Sequence, residues 1–176
     1  MNSFPDPSLE PVDSSRFRQA MRLLAGHVCV ITVGNGEDRT GFTATSVTAL
    51  SADGPTLLVS LNRSSSSWSA IEASPCFGVN ILTEGHRHVA EAFSGFDGRK
   101  GDARYEGALW SHQPSGVWLL EDAMVAFDCA LEEVIEHRSH AILIGLVRAV
   151  KARDAQDPLV YWQGGYRRLA RSALSP

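Results

Sequence analysis

A chain of 176 residues that is 44% hydrophobic and 20% charged can bury one core without a disulfide or metal staple. Its net charge of −4 argues against nucleic acid as main partner, because a phosphate backbone must be met by a basic surface. No apolar run reaches the roughly 18 residues that span a bilayer; Met1–Val12 lacks a secretory leader's basic start and apolar stretch, and Cys29, Cys76 and Cys129 read as buried thiols of a cytoplasmic protein.

Residues 1–12 are polar and Pro-rich, a flexible arm ahead of one domain over 13–170, with 171–176 as a tail. From Asp13 to Ala25 the apolar positions Phe17, Met21 and Leu24 fall on one helical face, which predicts an amphipathic helix against the core, capped by Asp13 or Ser14 and stopped by Gly26. His27–Val33 is nearly continuous and β-branched, a buried strand; residues 34–38 form a turn, and Thr40–Ser51 and Thr56–Leu61 are further strands. Connections this short require antiparallel pairing. Serines 64–67 precede a short helix over Trp68–Ala73, which one of them should cap. Cys76–Leu82 is a strand, His86–Phe93 a short helix, and 94–116 a Gly-rich, charged excursion. Two long strands, Ala123–Glu136 and Ala141–Lys151, flank a tight turn, and Pro158–Trp162 precedes a basic tail. Six or seven strands and two or three helices favour a mainly β (α+β) protein, an antiparallel barrel with short peripheral helices, over a doubly wound sheet.

Several chemistries lack their residues. Gly34-Asn35-Gly36 has no third glycine and is followed by a strand, so it is a turn rather than a dinucleotide loop, and no triphosphate-binding loop occurs. His86, His88, His137 and His140 find no third or fourth ligand at metal-binding spacing. No nucleophile elbow is present, and Glu132 and Glu133 point to opposite faces of a strand. Three segments do suggest a site. Small and hydroxyl residues fill Gly41–Val47, either to let a flat ligand approach the backbone or simply as a polar sheet edge. Ser60–Trp68 joins a strand end to a helix start with one arginine and several hydroxyls, a place for a phosphate or else a serine linker. His140 opens a strand beside Arg138 and Ser139, at a site rim or on an exposed turn.

Taken in order, Phe17–Met21, Val28–Val33, Gly41–Ser46, Pro55–Ser64, Val79–Leu82, Phe93–Gly95, Arg104-Tyr105 with Trp110, Ala126–Cys129, Ser139–Val147 and Pro158–Tyr161 resemble the short-chain flavin reductases of the FMN-binding split-barrel fold. The likeness is to the branch holding pyrimidine-utilisation flavin reductases, reductase partners of two-component monooxygenases and a corrinoid reductase. It implies an antiparallel split β-barrel, a homodimer, and hydride transfer from NADH or NADPH to FMN (or FAD). The reduced flavin would diffuse to a flavin-dependent monooxygenase; a corrinoid acceptor and a non-catalytic flavin- or haem-binding protein are the rival readings. Carried over by position, Thr43, Ala44, Thr45 and Ser46 lie along the flavin ring. Ser60, Leu61, Asn62, Arg63, Ser66, Ser67 and Trp68 hold the ribityl chain and phosphate, and Asn80, Phe93, Ser94, Gly95 and Tyr166 complete the cofactor-binding set. The family's Gly-Asp-His motif falls on Arg138-Ser139-His140, which keeps only the histidine that stands near the nicotinamide; a Tyr-His pair becomes Tyr166-Arg167.

Overall fold

The structure, a computed structural model, describes residues 10–154 and 156–169. In chain order its elements are α1 (Ser14–Met21), β1 (Gly26–His27), β2 (Cys29–Val33), β3 (Thr40–Ala44), β4 (Thr48–Ser51), β5 (Thr56–Asn62), α2 (Trp68–Ala73), β6 (Cys76–Ile81) and α3 (Arg87–Ser94). There follow β7 (Trp110–His112), β8 (Trp118–Leu120), β9 (Val125–His137), β10 (His140–Ala152), β11 (Leu159–Trp162) and β12 (Gly165–Arg168), with 3-10 turns at Gly36–Asp38, Glu84–His86 and Gly101–Tyr105. Seven strands make one sheet in the order β3-β2-β6-β9-β10-β5-β4; β1-β11-β12 and β7-β8 form two smaller sheets, and every pairing is antiparallel.

The large sheet curls until its two ends meet without pairing. β4 covers only the first half of β5, from Thr56 to Leu58. Beyond that point Ser46, in the link from β3 to β4, reaches across: its Oγ donates to the Ser60 carbonyl at 2.9 Å and accepts from the Ser60 N–H at 3.2 Å. One serine thus spans a seam that elsewhere stays open, which is the split in the barrel. β2 is buried at every position because both of its faces are covered, and its one polar residue, Thr32, donates its hydroxyl to the Trp118 carbonyl at 2.6 Å. Cys29, Ile31 and Val33 point into the barrel with Phe77, Val79 and Leu143, while Val28 and Val30 point outward to α3 and β8.

Three expectations need correction. The α1 helix is capped by Asp13 as its sequence suggests, but it buries nothing: Phe17, Met21 and Leu24 are 54%, 46% and 63% exposed. The stretch 40–51 is two strands on opposite edges of the sheet, since the chain must leave β3 to cross the seam at Ser46. Twelve strands are found among the described residues because several span only two to four residues, too short to show periodicity, and the basic tail contributes β12. Cys29 and Cys129 are buried thiols as expected, whereas Cys76 is only half-buried. Most of the N-terminal arm and all of the tail over 171–176 lie outside the described residues.

Candidate flavin site at the seam of the barrel

The seam opens into a cavity of about 450 Å³ lined by Phe42, Thr43, Ala44, Thr45 and Ser46 on one side and Ser60, Leu61, Asn62, Ser64 and Ser65 on the other, with Phe93, Ser94, Arg104 and His140 closing it. β3 is an edge strand paired with β2 on one side only, so the main-chain groups on its outer side have no neighbouring strand to pair with. A second cavity of about 510 Å³ shares Thr43, Ala44, Thr45 and Ser94 with the first and adds Arg87, Glu91, Phe96, Tyr161 and Tyr166. The two are compartments of one trough floored by Thr43–Thr45.

α3 fixes the floor from behind. The Thr43 hydroxyl donates to the Ala90 carbonyl at 2.7 Å, so the β-branched side chain is turned away from the trough. Phe93, itself buried, packs edge-on against Tyr105 at 5.0 Å, and the Tyr105 phenol donates to the Thr40 carbonyl at 2.7 Å. Burial raises that phenol's pKa, so it stays protonated. Gly41 does not serve the ligand. A Cβ there would stand 2.2 Å from the Ile31 carbonyl and 2.7 Å from the Phe93 ring, so its missing side chain makes room for the protein itself.

At the hydroxyl-rich end sits Arg104, which is only 6% exposed. Its guanidinium donates to the Gly41 carbonyl, to Ser67 Oγ at 3.2 Å, to Ser66 Oγ at 3.2 Å and to the Arg99 carbonyl at 3.2 Å. All of these acceptors are neutral, and no carboxylate pairs with Arg104 among the described residues. Burial lowers its pKa from the ordinary arginine value, with the field of Asp97 opposing. A buried cation without a counter-charge is costly unless an anion completes it. A phosphate monoester fits this place: planar N–H donors on a guanidinium and several hydroxyls converge on one compartment. The flat, small-sided floor beside it fits a tricyclic ring.

The predicted site residues divide. Thr43, Ala44, Thr45, Ser46, Ser60, Leu61, Asn62, Phe93, Ser94 and His140 come together in the first compartment, and Tyr166 lines the second. Ser66 and Ser67 act from behind through Arg104. Ser67 occupies the position before α2 but does not cap it; its buried hydroxyl donates to the Gly41 carbonyl at 2.7 Å instead. Arg63 and Trp68 do not line either compartment; the guanidinium lies over the Trp68 ring at 5.4 Å and pairs with Glu136. Asn80 is wholly buried away from the trough, bonding the Val30 carbonyl and the Leu120 N–H to hold β6 against β2 and β8. Gly95 ends α3 with φ +74°. Arg104 was missing from the expected set because its partners lie up to 63 residues away in the chain, and no local pattern announces them.

The match of a family model decides the kinship. The flavin reductase like domain covers residues 21–170. The chain belongs to that family. A protein named FMN reductase (NADH) RutF, from Methylorubrum extorquens, is 40% identical over 165 residues, 94% of this chain and 80% of its own length. Among solved structures, the NADH:FAD oxidoreductase SgcE6 of Streptomyces globisporus, in complex with NAD and FAD fragments, superposes with a TM-score of 0.83 at 25% identity, covering 94% of this chain and 99% of its own. BorF, the flavin reductase component of a bacterial two-component tryptophan halogenase, gives 0.82 at 28% identity over 91% of this chain and 100% of its own.

Proposed function

We propose that this flavin reductase uses NADH to reduce FMN and releases the reduced flavin to a partner monooxygenase in the cytoplasm. The observation that carries the reading is Arg104, a buried cation with no ion-pair partner among the described residues at one end of a flat slot, in a chain 40% identical to a protein named FMN reductase (NADH) RutF. Bound flavin supplies the ring that accepts a hydride equivalent. The protein's part is binding and orientation. Arg104, with Ser64 and Ser65, holds the phosphate; Ala44 and the backbone of Thr43–Ser46 support the ring; Phe93 and Tyr105 keep water from the far side of β3. His140 sits on the rim, where it orients the pyridine nucleotide. Ser139 Oγ lies 2.9 Å from its Nδ1, which engages that nitrogen and leaves Nε2 to face the substrate.

A homodimer is part of the same proposal. Phe17 and Met21 on α1 and Leu24 just after it, with Val134, Ile135 and Val150 on the long hairpin, form exposed apolar surface that a second copy would cover. Partnership with an oxygenase component is supported by relatives such as BorF. The test is anaerobic: FMN mixed with the enzyme must lose its oxidised-flavin absorbance on addition of NADH, and no loss with NADH or NADPH overturns the reading. Sedimentation of the purified protein checks the dimer.

A further inference from the structure

His140 has no helix or core to hold it. It begins β10 directly after the turn Arg138-Ser139, where every residue from Glu132 to His140 is exposed. Arg138 takes a left-handed φ of +52°, a conformation that glycine adopts freely and arginine does not. The backbone of His140 is paired with His137 on one side and Asn62 on the other, but its exposed side chain needs a further tether to hold the tip in one place over the cavity.

Arg63 supplies that tether twice. Its backbone N–H donates to the Ser139 carbonyl at 2.9 Å, continuing the β5–β10 ladder one step past the Asn62–His140 pair. Its guanidinium crosses to Glu136 Oε2 at 2.8 Å on β9 while lying over the Trp68 ring at 5.4 Å. One side chain therefore joins the serine loop, the first turn of α2 and the hairpin that carries His140. Asn62 helps hold its own end: its Oδ1 accepts from the Ser64 N–H at 3.0 Å and the Ser64 hydroxyl at 2.9 Å, so the loop does not trail.

From this geometry we infer that Arg63 is a positioning residue for the second substrate: through Glu136 and Ser139 it locks His140 over the cavity mouth without touching the flavin. The inference rests on the reading of His140 given above. It also makes the serine loop the shared anchor of both substrates, one held through Arg104 from within and the other through Arg63 from outside.

Arg63→Gln and Glu136→Gln test it. Each should raise the KM for NADH by about two- to fivefold, the range an exposed ion pair supports, with kcat and the Kd for FMN unchanged. The charge-exchanged double variant Arg63→Glu/Glu136→Arg should recover the wild-type KM. Arg63→Gln/His140→Ala should have the same KM as His140→Ala alone, because a residue that works through His140 has nothing left to position. Unaltered KM in both single variants, additive effects with His140→Ala, or a loss of FMN affinity matching the rise in KM overturns the inference. If His140→Ala alone leaves the NADH KM at its wild-type value, the reading of His140 itself is what fails.

Discussion

Replacing Arg104 by methionine keeps the aliphatic stem and removes the charge. In the flavin-free protein the variant loses donors to Gly41, Ser66, Ser67 and Arg99. The Gly41 carbonyl still receives the Ser67 hydroxyl, and a desolvated cation is gone, so the two effects offset and unfolding free energy should change by only about 1 kcal/mol. Binding is different. A charge-assisted contact to phosphate in a buried site contributes about 3 kcal/mol, so the Kd for FMN should rise roughly a hundred-fold. Riboflavin, which lacks the phosphate, serves as the control and should bind both proteins within about threefold of each other. Flavin fluorescence titration reads both ligands, and a thermal melt without flavin reads stability. An FMN affinity that falls less than about fivefold, or a riboflavin affinity that falls as far as that of FMN, refutes the assignment of the phosphate to Arg104.

Gly41→Ala should destabilise the protein by about 2 kcal/mol or more, measured by denaturant unfolding, because the new Cβ meets the rigid Ile31 backbone as well as the Phe93 ring. Arg138→Gly should stabilise it by about 0.5–1 kcal/mol, removing left-handed strain from the turn at a smaller entropic cost; calorimetry reads the rise in Tm. Burial pushes the Cys29 and Cys129 thiols up to about 12 from an ordinary 9.0, so they stay protonated in the fold while the unfolded chain ionises. Their contribution is complete below pH 9 and is lost as pH rises toward 12, at up to about 1.4 kcal/mol per pH unit for each thiol. Unfolding curves at successive pH values should show this slope, and Cys29→Ala should flatten it.

The strands of the barrel were legible where burial dictates composition. β2 is nearly continuous in apolar residues because both its faces are covered, and β9 and β10 are long enough for their pattern to survive two register shifts. The α1 pattern misled for a physical reason: periodicity reports that a face is apolar, not what it lies against, and here that face is turned outward. Gly41 misled too, since a small residue shows that something approaches closely without saying whether it is ligand or protein.

The sequence alone determined the antiparallel pairing, through short connections, and the family, through an ordered set of motifs. It also singled out Thr43–Ser46 and His140, which line the cavity at the seam. Only the tertiary structure decided that Arg104 lines the cavity with Ser66 and Ser67 behind it while Arg63 points away, because an arginine's role is set by what surrounds its guanidinium. Those surroundings come from strands far apart in the chain. Charge in a protein takes its meaning from burial, and burial exists only once the barrel has closed.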